Sequence, residues 1–170
     1  MPYTVSQVLG SNPDSLTSSS SEAYSSADRV DAQVTRARGQ FRTLAERWEG
    51  KAADAAQKQA AEKFEDQEAY RDRLRSVGEV LGRHGPMLAS LRNDLSNAVD
   101  SAGVWWFVGE TGSVAPGAAM AFLQNLSDAS ALYVMSKKIE VENNLKLLLA
   151  RFEAQDKAAG RELRTIGWDQ

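Results

Sequence analysis

The sequence predicts an all-α protein, an elongated antiparallel helical bundle, on three observations. Apolar residues recur at alternating three- and four-residue steps over most of the 170 residues. No stretch shows the sustained alternation or the Asn-Gly turn of a β-hairpin. A sharp break at Trp48-Glu49-Gly50 separates two long apolar seams, and two helices joined by so tight a turn must run antiparallel. One domain spanning residues 1–170 is expected, long enough to bury a sizeable core.

The elements follow in order. Thr4-Val5-Ser6-Gln7 has the form of a capping box with Gly10 as its stop, so a turn or two of helix is expected there. Asn12-Pro13 restarts the chain, with Asn12 as a helix cap and Pro13 at the first helical position. The seam Ala23, Ala27, Val30, Val34, Ala37, Phe41, Leu44, Trp48 then predicts a helix over about residues 13–48. Residues 48–51 form the turn, where Gly50 tolerates a backbone conformation closed to other residues. A second helix, over about 52–103, starts with the small seam residues Ala53, Ala56 and Ala60. It continues through Leu74, Val77, Leu81, His84, Leu88, Leu91, Leu95, Ala98 and Ala102. Gly85-Pro86 interrupts it without changing the phase of the seam, which predicts a kinked but continuous helix. Residues 104–116 read as a loop. A third helix, over about 117–166, carries Phe122, Leu126, Leu132, Met135, Ile139, Leu145, Leu149, Phe152, Ala159 and Leu163. Antiparallel packing of these lengths gives a rod of roughly 75 Å.

Composition narrows the function classes. There is no cysteine and one histidine, His84, which lies on a seam and reads as a hydrogen-bonded core residue. Acids and bases alternate along the helices, as on solvated faces, and no phosphate loop or nucleophile elbow is present. No catalytic residue, cofactor or metal is therefore expected, and the chain reads as a non-enzyme. The net charge of −3 gives no pull toward nucleic acid. No apolar run approaches the length needed to span a bilayer. The N-terminus lacks the basic and apolar regions of a Sec-type signal peptide, and stable membrane insertion is not expected.

Two places remain as candidate binding sites. One is the turn, Trp48 with Gly50: a tryptophan at the end of a helical bundle is rarely fully covered. The other is the aromatic loop Trp105, Trp106, Phe107 and Val108. Its contiguous aromatics mark a partner-binding loop unless two or three of them fold back onto the helices.

A helix, Trp48-Glu49-Gly50, and a second helix opening Lys51-Ala52-Ala53-Asp54-Ala55-Ala56 together resemble the WXG100 superfamily of actinobacterial type VII (ESX) secretion substrates. The resemblance covers roughly residues 13–102. It implies a small helical hairpin that pairs with itself or with another WXG100-like helical protein and docks on a secretion chaperone or ATPase. It also implies export to the cell surface or medium without a Sec signal. This chain departs from that pattern in its third long helix. The superfamily's export signal, a tyrosine with an acid four residues later, is expected after the second helix. Here the match is Tyr24 with Asp28, in the first helix. The competing readings are a cytosolic structural or regulatory coiled-coil protein and the N-terminal module of a larger secreted enzyme or toxin.

Overall fold

The computed structural model describes residues 2–167. They form an all-α bundle of five helices with one small β-hairpin: α1 (Val5–Leu9), α2 (Asp14–Ala45), α3 (Lys51–Gly103), β1 (Trp106–Val108), β2 (Val114–Pro116), α4 (Ala118–Gln124) and α5 (Asp128–Thr165). The chain divides into two compact units. One consists of residues 15–83 and 162–167, the other of residues 2–14 and 84–161.

The first unit is the antiparallel pair α2 and α3. Ala27, Val34, Ala53 and Val80 are buried, and the α2 seam is covered as far as Phe41, which meets Phe64 edge-on at 6.4 Å. The expected seam ends there: Leu44 is exposed, and the helix stops at Ala45, short of Trp48. Small residues bring α2 and α3 into close contact at Ser20, Gly78 and Gly82. Ser20 is buried and its hydroxyl donates to the Gly78 carbonyl at 2.6 Å. A Cβ on Gly82 would stand 2.8 Å from that hydroxyl, and one on Gly78 would stand 3.0 Å from the Tyr24 ring. Three ion pairs cross between the helices, Asp28–Arg75, Asp31–Arg71 and Arg38–Glu68. The Arg38 guanidinium also lies over the Phe64 ring at 5.3 Å. Exposed pairs of this kind contribute about 0–1 kcal/mol each, so they pin the register more than they stabilise it.

In the second unit α1 is closed by the expected capping box: the Thr4 hydroxyl accepts from the Gln7 amide, and the Gln7 side chain accepts from the Thr4 amide. Val8 is fully buried, and the Arg92 guanidinium donates to the Leu9 carbonyl at 3.0 Å. Tyr3 stacks edge-on against Phe152 and donates its hydroxyl to Asp156 at 2.7 Å. α3 is continuous through Pro86. His84 is buried, with its Nδ1 2.8 Å from the Gln155 amide of α5. Leu88, Leu95 and Ala102 continue the α3 seam into this unit's core.

Two expectations need correction. The loop over 104–116 contains a β-hairpin, with Trp106 opposite Pro116, Phe107 opposite Ala115 and Val108 opposite Val114. Strands of three residues are too short to display alternation, and the hairpin is held from outside by α5. The expected third helix is two helices, α4 and α5. The Asn125 amide closes α4 on the Phe122 carbonyl, and the Ser127 hydroxyl accepts from the Ser130 amide at 3.2 Å to start α5. The phase of the early seam also differs. Val134, Leu145, Leu148, Phe152 and Ala159 face the core, whereas Phe122, Leu126, Leu132, Met135 and Ile139 are exposed.

Candidate functional site

The turn is built from a helix that stops early. The Arg47 amide donates back to Leu44 and the Trp48 amide to Ala45, closing the end of α2 with short-range bonds. Gly50 has φ +104°, a conformation glycine adopts without the steric cost other residues meet. Its carbonyl accepts the Asp54 amide at 3.1 Å, opening α3. Asp54 in the first turn complements the helix dipole. Trp48 keeps 39% of its surface exposed, and Leu44 keeps 54%. The turn therefore presents apolar surface instead of burying it, while Ala53 just beyond is covered.

Tyr24 and Asp28 stand one helical turn apart on α2, facing α3. The Tyr24 ring lies along Gly78, and Asp28 meets Arg75 at 3.5 Å. Tyr24 remains about two-fifths exposed, and the Asp28 carboxylate lies at the surface of the α2–α3 pair.

The aromatic segment is divided by the strand geometry. Trp106 is buried, Phe107 points outward at 71% exposure, and Val108 is half-buried. Trp105 and Val104, just before the strand, are exposed. The hairpin is anchored at three points. Gly112, with φ +74°, lies so close to α5 that a Cβ there would stand 3.2 Å from the Leu145 Cβ and the Lys146 amide nitrogen. Glu142 of α5 accepts the Val114 amide at 3.0 Å. That bond and Lys146 hold the Glu142 carboxyl below the ordinary glutamate range. At the tip, Glu110 accepts from the Ser6 amide and hydroxyl at 3.0 and 2.7 Å, and these bonds lower its pKa in the same way. The Val5 amide donates to the Glu110 carbonyl. Trp105 and Trp106 line a cleft of about 1200 Å³ with Ala98, Phe122, Leu126 and Tyr133.

The anchors Tyr3, Glu110 and Glu142 are absent from the candidates the sequence supplies. Tyr3 had a signal, since it immediately precedes the cap residue Thr4, the place of an apolar staple. Glu142 had none. Among the described residues, no group of three His, Cys, Asp or Glu side chains could hold a metal ion, and no helix is long and apolar enough to cross a membrane.

A helical hairpin with a half-exposed tryptophan at its turn defines the class, that of small helical-hairpin proteins. The particular family follows from comparison with family models: the chain belongs to the WXG100 family, "proteins of 100 residues with WXG", whose model matches residues 10–101. The family is one of small helical proteins linked to type VII secretion. The match takes in α2, the Trp48-Glu49-Gly50 turn and nearly all of α3. The β-hairpin, α4 and α5 lie beyond it. Comparison with curated proteins and with solved structures gives no significant match.

Proposed function

We propose that this chain is a non-enzymatic substrate or targeting module of an actinobacterial type VII secretion system, exported folded to the cell surface or medium. The observation that carries the reading is the family match centred on a turn whose glycine has a positive φ and whose tryptophan is half-exposed. In this account α2 and α3 pair with a WXG100-like partner, the Trp48 end docks on a secretion chaperone or ATPase, and Tyr24 with Asp28 is the candidate export motif. The exposed Leu44 and Trp48 supply the apolar anchor such docking needs. The test is export from an actinobacterial host with an active type VII system, comparing the natural chain with Trp48→Ala. Because Trp48 is half-exposed, its removal leaves the α2–α3 core in place. The variant is expected to accumulate folded in the cytosol, with export reduced at least roughly tenfold. Undiminished export of Trp48→Ala, or cytosolic retention of the natural chain, refutes the proposal.

A further inference from the structure

The cleft beside Trp105 and Trp106 has a volume of about 1200 Å³, slightly more than the roughly 300–1000 Å³ of ordinary small-molecule sites. Its three walls, the end of α3, α4 and the first half of α5, belong to one unit of the chain. His84 meets Gln155, and the hairpin that follows α3 sits on Glu142, so α3 and α5 run antiparallel here. Asn97 of α3 and Asn144 of α5 therefore stand at one end of the cleft, and Trp105, Tyr133 and Leu126 at the other. The step from Tyr133 to Asn144 along α5 is about 16 Å. The two ends differ in kind. The carboxamides of Asn97 and Asn144 and the nearby Ser101 hydroxyl form no hydrogen bond with any described residue. Lys137 and Glu140 also line the cleft, but they pair with each other at 2.6 Å, so the site offers no unbalanced charge. At the far end Trp105, Phe122, Leu126 and Tyr133 are half to two-thirds exposed. None of the residues of α4 is buried, although Met120, Phe122 and Leu123 line the cleft. The start of α4 is fixed: the Gly117 amide donates to the Trp105 carbonyl at 2.8 Å, and a Cβ on Gly117 would stand 2.7 Å from that oxygen. α4 is thus a wall set over apolar space and covers no core of its own.

We propose that this cleft binds a neutral single-chain amphiphile. Its hydroxyl- or amide-bearing head lies between Asn97 and Asn144, and its apolar chain runs past Trp106 toward Phe122 and Leu126. The polar end decides the head. Two carboxamides and a hydroxyl supply donors and acceptors but no charge, and Lys137 is already neutralised by Glu140. A carboxylate or phosphate head would lose water there and gain no counter-ion. Shape decides the rest. An apolar wall running some 16 Å from the polar groups is lined along its length by a linear chain, whereas a compact ring would leave one end uncovered. The site uses neither the Trp48 turn nor Tyr24 and Asp28, so it stands apart from the export reading.

The experiment is isothermal titration calorimetry of the full chain with monolauroylglycerol, kept below the concentration at which it forms micelles. One molecule is expected to bind per chain. Laurate, the same chain with a charged head, is expected to bind at least roughly tenfold more weakly. The Phe122→Glu/Leu126→Glu variant is expected to bind monolauroylglycerol at least roughly tenfold more weakly. Its helicity by circular dichroism should be unchanged, since both side chains are exposed. Asn97→Ala/Asn144→Ala is expected to reduce the preference for monolauroylglycerol over laurate. Absence of binding overturns the proposal, and so does binding that the two glutamates leave unchanged. Laurate bound as tightly as monolauroylglycerol overturns the neutral head. Flotation of the chain with phosphatidylcholine vesicles carrying monolauroylglycerol, without binding of the free molecule, overturns the cleft in favour of a membrane surface. Affinity that falls as the chain concentration is raised shows a second copy in the cleft and overturns the proposal equally.

Discussion

The approach of α2 to α3 at Ser20 makes a prediction in which one substitution changes sign with its background. In an open helix, Gly82→Ala stabilises by about 0.5–1 kcal/mol, because alanine loses less backbone freedom on folding. Here the new methyl would stand 2.8 Å from the Ser20 hydroxyl, which is buried and donates to Gly78 at 2.6 Å. The hydroxyl must rotate away. It then loses its acceptor, at a cost of about 1–3 kcal/mol for a buried polar group left unpaired. Gly82→Ala alone therefore destabilises by about 1 kcal/mol net. Ser20→Ala alone removes the same hydrogen bond and costs about 1 kcal/mol. In the Ser20→Ala background the obstructing oxygen is gone, and the nearest remaining atom, the residue 20 Cβ, lies at 3.7 Å, an ordinary contact. Gly82→Ala then recovers its helix-propensity gain of about 1 kcal/mol. The two-residue cycle should yield a coupling of about 2 kcal/mol, with the double variant more stable than Gly82→Ala alone. Urea denaturation followed by far-ultraviolet circular dichroism measures all four corners. Additive effects, or a stabilising Gly82→Ala in the natural background, would show that Ser20 does not set the helix separation.

Two further outcomes follow from the packing of the turn and the β-hairpin. Gly50→Ala and Gly112→Ala both force a side chain to a positive φ, at about 1–2 kcal/mol, but only Gly112 has α5 in the way. Gly112→Ala should therefore cost about 1–3 kcal/mol more than Gly50→Ala in urea denaturation, and equal costs would refute the hairpin's seating on α5. The Glu142 pKa is depressed in the folded state, first by the Val114 amide and then by Lys146. Its stabilisation is therefore present above the unfolded pKa and lost as pH falls through the folded one. Hydrogen-exchange protection of the Val114 amide, corrected for intrinsic rate, should fall below about pH 4. In Glu142→Gln that protection should be lower at neutral pH and nearly flat with pH. A natural chain whose Val114 protection is flat over the same range removes Glu142 as the anchor.

How much was legible in the sequence depended on how local each determinant is. The Thr4/Gln7 box lies within four residues and was read directly. The α2 and α3 seams were legible because a 3–4 pattern held over several turns averages out individual exceptions. Even the buried His84 fits its seam position, with Gln155 as the partner that satisfies it. The hairpin was not legible, because what holds it is remote: Glu142 and the α5 backbone at Leu145 lie some 30 residues from the strands they anchor. The break between α4 and α5 depends on Asn125 and Ser127, polar residues easily passed over on either side of Leu126. The phase of α5 was misread because size was taken as the guide to burial. Leu132, Met135 and Ile139 are larger than Val134 and Val141 yet face outward, so hydrophobicity alone chose the wrong face.

The turn repeats that lesson on a smaller scale and accounts for why its tripeptide works as a unit. By spacing, Trp48 is the next member of the seam that runs through Phe41 and Leu44, although Leu44 is already exposed. The helix stops at Ala45, because short-range bonds from Arg47 and Trp48 close its last turn. Gly50 then takes a φ of +104° so that α3 can start at once. The early stop thus takes the tryptophan off the seam and leaves it half-exposed, while Gly50 keeps the connection to α3 short. A residue restricted to negative φ at position 50 would need a longer connection between the two helices. The glycine is what makes the break tight, and the tightness keeps the tryptophan at the turn instead of in the core.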